Sequence, residues 1–203
     1  MNNIVTLDDL EKLENESLKD CCVDFLPQHF EFCNCTFHNV TFDSDTIEGT
    51  IFQNVNINHC DFSNMNMTSC SFLNVTIESS KMIGIDCRES TFKDVKMNDC
   101  ILTYSNFSRS NLKNCKFKNN DFLETSFSDC KLEKTSYKNC RLTKADFRYT
   151  NLSGMDFRSN EIGGIVIQLE NIKGMIITSN QALELVSLLE VVVREEQDED
   201  YTD

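Results

Sequence analysis

The chain carries a large apolar residue at every fifth position over most of its length. From Phe32 to Ile177 this series has 30 positions, and all 30 are hydrophobic. Because 40% of the residues are hydrophobic, chance would give such a series with a probability on the order of one in 10^12. A helix repeats near 3.6 residues and a strand at 2, so the period indicates stacked repeats rather than either element alone.

The column two positions before each large residue holds small side chains. Seven cysteines, four valines, four serines, four threonines and one alanine fill 20 of its 30 places. The other three columns are dominated by Asn, Asp, Lys, Ser, Thr and Glu. Residues two apart on an extended chain share a side, so each unit points one large and one small residue inward. Stacked units can bury these residues while their backbones pair as ladders.

The repeat unit resembles that of the pentapeptide-repeat family, whose consensus reads A-(D/N)-L/F-x-x. Ala145, Asp146 and Phe147 match it fully. Asn-Leu or Asp-Phe pairs recur at 61–62, 111–112, 121–122, 151–152 and 156–157. The resemblance implies an all-β fold, a right-handed quadrilateral β-helix solenoid with four units and 20 residues per coil. Residues 32–178 then form about 7.5 coils.

The square coil predicts which side chains stack. Residues 20 apart lie directly above one another, so one interior column has aromatic rings in its first four coils. This predicted core stack consists of Phe32, Phe52, Phe72, Phe92, Leu112, Leu132, Leu152 and Ile172.

The two ends depart from the five-residue register. Residues 1–31 are predicted to form an N-terminal cap over the first coil, with Leu7, Leu10 and Leu13 on a short amphipathic helix. Residues 179–194 are predicted to be a helix with Ser179 or Asn180 as its N-cap. Residues 195–203 are expected to be a disordered acidic tail.

The predicted C-terminal helix is more apolar than one packing face requires. From Ala182 to Val193, nine of twelve residues are apolar, whereas covering the rod end needs about half of them. Family members commonly end in a helix that pairs two rods, so the resemblance implies a homodimer. The interface residues predicted for it are Leu185, Leu188, Leu189 and Val192.

Net charge is −14, but the rod itself is nearly neutral. Residues 1–31, 32–178 and 179–203 carry −6, −1 and −7. Within the rod, the C-terminal half is basic, and this half offers a possible partner surface of Lys113, Lys116, Lys118, Lys131, Lys134 and Lys138. A solvated surface without a partner is the simpler interpretation of these lysines, and a site for an acidic partner is the alternative.

Eleven cysteines raise the question of disulfides or a metal. Seven lie in the small inward column, where those on one face are at least two coils, or about 9.6 Å, apart, too far for a disulfide. We therefore expect reduced core thiols, as in a cytoplasmic protein. Five donors, Cys21, Cys22, His29, Cys33 and Cys35, the last of which belongs to that column, are close in sequence, but their spacing fits no zinc pattern. Neither a secretion signal nor a run of 18 apolar residues is evident.

Candidate chemistry is scarce. The sequence lacks a nucleophile elbow, a phosphate loop and a dinucleotide fingerprint, so we predict a non-enzymatic protein without metal or cofactor. A protein-interaction scaffold with an unknown target is the favoured function. The resemblance implies an alternative, because some members bind DNA gyrase or topoisomerase IV and confer fluoroquinolone resistance.

Two features of the sequence bear on these alternatives. The unbroken register from 32 to 177 lacks the loops of Qnr-type members and resembles the loop-free mycobacterial MfpA type. The near-neutral rod lacks the dense negative charge of a DNA mimic. Polyanion binding through the lysines is a third possibility, although direct binding of nucleic acid is not favoured by the acidic chain.

Overall fold

The computed structural model describes residues 3–7, 10–25 and 27–186, which wind into a parallel β-solenoid. The predicted fold, an all-β right-handed quadrilateral β-helix ending in one α-helix, is confirmed. In chain order the strands are β1 (Asn3–Thr6), β2 (Lys12–Glu14), β3 (Ser17–Phe25), β4 (Glu31–Cys33), β5 (Thr36–Phe42), β6 (Ile51–Gln53), β7 (Asn56–Asn58), β8 (Ser71–Leu73), β9 (Thr76–Glu78), β10 (Thr91–Lys93), β11 (Lys96–Asn98), β12 (Asn111–Lys113), β13 (Lys116–Lys118), β14 (Lys131–Glu133) and β15 (Ser136–Lys138).

The four sides of the solenoid are of two kinds. Strands with even numbers form one seven-stranded parallel sheet, the even face, and strands with odd numbers form an eight-stranded sheet, the odd face. The third face is a column of single bridges from Thr41 to Glu161, and the fourth face is a similar column from Thr46 to Val166. The three-residue strands follow from the five-residue unit, since the other two residues make the corner.

The interior column on the even face stacks with a period of one coil. Phe52 lies between Phe32 and Phe72, with ring centroids 5.3 and 4.9 Å away. The ring centroids of Phe72 and Phe92 are 4.7 Å apart, and the two rings are nearly parallel, at 4°. The pairing continues from Phe92 to Leu112 and on to Leu132. A 20-residue repeat therefore places identical rings in van der Waals contact, and these rings are fully buried.

The corners explain the polar columns of the sequence. The second residue after most of the large ones adopts a left-handed backbone, for example Asn54 with φ 55° and Asn74 with φ 54°. Asn and Asp tolerate this conformation better than most residues. The Asn74 side chain donates to Asn54 at 2.8 Å, and Asn54 donates to Asn34 at 2.9 Å. The corner residues thus form a hydrogen-bonded ladder along the rod.

The small inward column also joins the coils by hydrogen bonds. The Ser90 hydroxyl accepts from the Cys70 N–H at 3.1 Å and donates to the Met67 carbonyl at 3.1 Å. Ser110, one coil further along, repeats the pattern, because its hydroxyl donates to the Cys87 carbonyl at 2.8 Å. Small hydroxyl side chains therefore satisfy buried backbone groups that would otherwise be left unpaired.

All eleven cysteines are free thiols. Those of the small column are buried, and several donate weakly to a carbonyl of the coil before, as Cys130 does to Phe107 at 2.9 Å. Burial raises the pKa of Cys70 and Cys130 to about 12 and the pKa of Cys115 to about 11. The thiols of the column are thus held in the neutral form and behave as compact apolar residues.

The N-terminal segment is part of the solenoid rather than a helical cap. Where a helix over Leu7 to Leu13 was expected, the structure has strands β1 and β2 on either side of the described residues Leu7 and Leu10. Leu13 pairs with Phe32 and Leu18 with Phe37, each 19 residues apart. Because this coil is one residue shorter than the 20-residue coils that follow it, the five-residue register shifts, and counting back from Phe32 misses it.

The described part of the C-terminal helix, α1, spans Ser179–Val186 and follows a short 3-10 turn at Leu169–Asn171. Its N-cap is Thr178 rather than the predicted Ser179 or Asn180. The Gln181 N–H donates to the Thr178 hydroxyl at 3.2 Å, and the Gln181 side-chain oxygen accepts from the Thr178 N–H at 2.8 Å. This reciprocal arrangement is a capping box.

Gln181 also closes the end of the rod. Its buried side-chain amide donates to the carbonyls of Phe157 at 2.9 Å and Asn160 at 2.8 Å. In the preceding coils, a carbonyl in the position of Phe157 binds a small-column side chain, and one in the position of Asn160 binds a backbone N–H of the next coil. Among the described residues, none of the helices combines the length and hydropathy needed to cross a bilayer.

Candidate interaction surface

The predicted lysine surface comes together on two adjacent faces. Lys113 and Lys131 lie on the even face, at the end of β12 and the start of β14, and Lys134 follows at the corner. Lys116, Lys118 and Lys138 lie on the odd face in β13 and β15. All six lysines are exposed, so the solenoid turns a sequence spread over 26 positions into one patch of two coils.

Lysines on the odd face are stacked on other lysines. Lys118 pairs in register with Lys138, and Lys116 pairs with Lys96 of the preceding coil. Neighbouring strands are about 4.8 Å apart, so like charges in these positions repel each other. Lys96 was missed in the sequence, although its position 20 residues before Lys116 would have revealed it. We call these four residues, Lys96, Lys116, Lys118 and Lys138, the lysine stripe.

Most cations on the other two faces are neutralised, although Lys81 on the third face has no described ion pair. Arg88, Arg109 and Arg148 on the fourth face form ion pairs with Asp86, Glu89 and Asp146. On the third face, Arg141 binds Asp121 at 2.7 Å and Lys144 binds Glu124 at 3.1 Å. Hydrogen bonds from Arg88 hold the pKa of the Asp86 carboxyl below its usual value. The ion pairs found among the described residues include none of the lysine stripe.

One member of the predicted surface does have a carboxylate partner. Lys113 binds Glu133 of the next coil at 2.9 Å, and this contact lowers the pKa of Glu133. Lys113 is therefore less available to a partner than Lys116 or Lys118. Among the described residues, lysines without an ion pair are concentrated on the odd face.

The predicted dimer residues are only partly described. Leu185 is half-buried and packs against the core of its own chain, whereas the neighbouring Leu183 is 64% exposed. Leu188, Leu189 and Val192 lie outside the described residues. The dimer therefore stays a prediction, and Leu183 is the exposed apolar residue in the described part of the helix.

Within the ranges that the structure describes, no group of three His, Cys, Asp or Glu side chains is arranged to hold a metal ion. His38 and His59 are exposed neighbours, with ring centroids 5.5 Å apart, on the odd face well away from the lysine stripe. What the two lysine-bearing faces can do is attract an anionic partner.

Comparison with known proteins gives a family match and similar structures. A family model described as a pentapeptide repeat region matches residues 50–122 and 110–185. A trypsin-treated variant of QnrB1, a plasmid-mediated fluoroquinolone resistance protein, is 14% identical over 90% of this chain and 97% of its own, with a TM-score of 0.47.

HetL, a pentapeptide repeat protein involved in heterocyst differentiation regulation from Nostoc sp. strain PCC 7120, is 9% identical, covering 86% of this chain and 87% of its own, with a TM-score of 0.44. The chain matches none of the curated proteins. Since the two family matches together span residues 50–185, well over half of the sequence, this protein belongs to the pentapeptide repeat family.

Proposed function

We propose that this protein is a non-catalytic interaction rod that binds an acidic protein surface through the lysine stripe. The observation that carries the proposal is the stacking of Lys96 on Lys116 and of Lys118 on Lys138 without described ion pairs. Such stacking opposes folding, since like charges repel across a parallel ladder. An anionic partner would remove that repulsion, and the flat, rigid sheet would hold the ammonium groups at a fixed spacing.

The distribution of charge supports a protein partner over nucleic acid. Asp94 and Asp99 lie at corners beside the stripe, where they accept hydrogen bonds from Asn114 and Asn119. The phosphates of a nucleic acid follow one another along the whole strand, so some of them would lie beside these carboxylates and be repelled. A folded protein can place its acidic side chains opposite the lysines alone. The chain as a whole carries −14, which further disfavours a polyanion of uniform charge.

Binding of a labelled peptide rich in Asp and Glu, followed by fluorescence anisotropy, tests the proposal. Lys118→Glu should weaken binding by about tenfold, since it removes one attraction and adds one repulsion. Lys81→Glu is the matched control, because Lys81 is an exposed lysine on the third face without a described ion pair. Equal loss in both variants would show only a response to net charge and would refute a site on the odd face.

The same variants separate the alternatives. A gel shift with duplex DNA that depends steeply on salt and is lost in Lys118→Glu would replace the protein partner by a polyanion. Binding to gyrase, the alternative implied by the family resemblance, requires an acidic rod, and the lysine stripe has the opposite sign. A supercoiling assay with and without a fluoroquinolone tests that alternative, and protection retained by Lys118→Glu would favour it.

We infer that the C-terminal helix pairs two rods, as family members do. The exposed Leu183 supports this arrangement, because a large apolar side chain in a terminal helix gains stability when a partner covers it. Light scattering of the wild type should give the mass of a dimer, and Leu183→Asp should give a monomer with unchanged circular dichroism. Leu185→Asp is a weaker test, because Leu185 also packs on its own core. A monomeric wild type would refute the dimer.

A further inference from the structure

The ladders of the even and odd faces stop at the same coil. The even face is interrupted after β14 and the odd face after β15, and the odd face resumes one coil later at the bridge Asp156–Ile176. The other two faces continue through the bridges Arg141–Glu161 and Asp146–Val166. The coils remain bonded on either side of this interruption, at Cys130 N–H to Thr150 Oγ1 and at Cys140 N–H to Asn160 Oδ1, both 2.9 Å. Between these bonds, which close it at both ends, lies a cleft of about 830 Å³ that is open to solvent along its side.

The residue at the interruption differs from its neighbours in the small column. Thr135 donates its hydroxyl to the Leu112 carbonyl at 3.0 Å, and Thr150 donates to Phe127 at 2.7 Å. Met155 holds the equivalent place above Thr135. It has neither a hydroxyl to donate to the Leu132 carbonyl nor the short side chain of Val55, Val75 and Val95, which fill this column in coils whose ladders are continuous. Leu132 and Met155, both partly buried, line the cleft and give it an apolar wall.

In the part of the chain that the structure describes, two backbone N–H groups beside the cleft also lack the hydrogen bonds that their equivalents make in the preceding coils. In the intact coil before, Asn114 N–H donates to the Glu133 carbonyl at 2.8 Å. The equivalent bond from Lys134 N–H to Ser153 is missing among the described residues, as is the bond from Asp156 N–H to Thr135. Unpaired N–H groups beside a cavity are available to a ligand that can accept hydrogen bonds.

The charges around the cleft favour an anion. Its lining includes the cations Lys134, Lys138 and Arg158 and one carboxylate, Asp156. Arg158 binds Asp156 at 2.7 Å, so that carboxylate is already neutralised. The ammonium groups of Lys134 and Lys138 take part in none of the ion pairs described. The cleft thus combines two free cations and two backbone donors with an apolar wall.

We propose that this cleft binds a small amphipathic acid, with its anionic group held by Lys134 and Lys138 and its apolar body against Leu132 and Met155. The closed ends argue for a small molecule over a peptide strand running through the gap. The volume is in the range of small-molecule sites, about 300–1,000 Å³. This site does not depend on the acidic protein partner, although the two share Lys138.

Calorimetry with octanoate as the probe tests the site, with octylammonium as the charge-reversed control. Octanoate should bind and octylammonium should not. Lys138→Glu should weaken octanoate binding by at least about tenfold, the effect of losing one charge-assisted hydrogen bond. Lys118→Glu is the matched control, because Lys118 holds the same position one coil earlier but lies outside the cleft, and it should change the affinity by less than about twofold.

A second variant tests the cleft itself. Met155→Thr supplies the hydroxyl that the column uses elsewhere, so it should close the gap and abolish octanoate binding in a folded protein. Met155→Thr should leave binding of the acidic peptide intact. Lys118→Glu should weaken binding of the acidic peptide and leave binding of octanoate intact. Equal binding of octylammonium, equal loss in Lys118→Glu and Lys138→Glu, or full octanoate binding by Met155→Thr would each overturn the proposed site.

Discussion

The even face contains two regions with the same register and different outcomes. Phe52, Phe72 and Phe92 stack with rings 4.7 to 4.9 Å apart and are fully buried, whereas Leu132 is only partly buried beside the cleft. Both regions have a large apolar residue every fifth position. The difference shows that this column alone does not hold successive coils together, and that the small column must also bond or pack across the coil boundary.

The largest difference between the two regions should appear on removing a stacked side chain. Phe72→Ala should lower the free energy of unfolding by about 3–5 kcal/mol, because Phe72 is enclosed by rings on both sides. Leu132→Ala should cost about 2 kcal/mol or less, since the cleft already exposes part of that side chain. Urea unfolding of both variants checks this, and equal losses would show that the open corner is packed as tightly as the stack.

High pH should destabilise the coils with continuous ladders, because their buried cysteine thiols ionise on unfolding. The pKa of Cys130 is about 12 in the folded chain against about 9 when exposed, so the folded state keeps a proton that the unfolded state loses. Stability is therefore complete below about pH 9 and falls as the pH rises toward the folded pKa, by up to about 1.4 kcal/mol per pH unit for each such thiol.

Cys130→Ser isolates this effect, because serine already occupies the column at Ser90 and Ser110 and does not ionise. Unfolding in urea at about pH 8 and about pH 10 should show a smaller loss for Cys130→Ser than for the wild type. A loss of the same size in both proteins would mean that the Cys130 thiol is not protected by the folded chain.

The coil beside the cleft should become more stable when Met155, its small-column residue, is replaced. Met155→Thr should raise the free energy of unfolding by about 1 kcal/mol, the usual net value of one added hydrogen bond, here from the threonine hydroxyl to the Leu132 carbonyl. Ala145→Thr, in a coil where the ladder is continuous, is the control and should be neutral or destabilising because that site is already filled. Lower stability in Met155→Thr would contradict this explanation of the cleft.

The smallest effect is expected from the lysine stripe. Lys118→Glu replaces a like-charge neighbour of Lys138 by an opposite charge, so stability should rise by about 0.5 kcal/mol at low salt and the gain should shrink at high salt. Thermal unfolding at two salt concentrations measures it. A decrease at low salt would show that Lys118 has a stabilising contact that the ladder geometry does not reveal.

The sequence predicted most of the fold because its constraint is local and periodic. Phe32 through Ile172 could be assigned by counting, since each unit repeats the same burial. The first coil was missed because one residue fewer between Leu13 and Phe32 shifts the count. The cleft was missed for the opposite reason, because the register runs unbroken through Leu132 and Leu152 while the ladder does not.

Signals for the missed features exist but are small. Met155 is a long side chain in a column of mostly short ones, and Tyr137 is the one position of the large column with a hydroxyl. That hydroxyl is buried without a hydrogen-bond partner among the described residues. The lysine stripe depends on pairing across coils, so it needed the 20-residue spacing and not the five-residue one.

The amide of Gln181 has a consequence for self-association. A solenoid with an open final coil presents a template on which a further molecule could add, rod upon rod, into a fibre. By occupying the carbonyls of Phe157 and Asn160, one glutamine removes two of the acceptors that such a template would offer. A single polar side chain thereby limits how far the pattern of the rod can be copied by its neighbours.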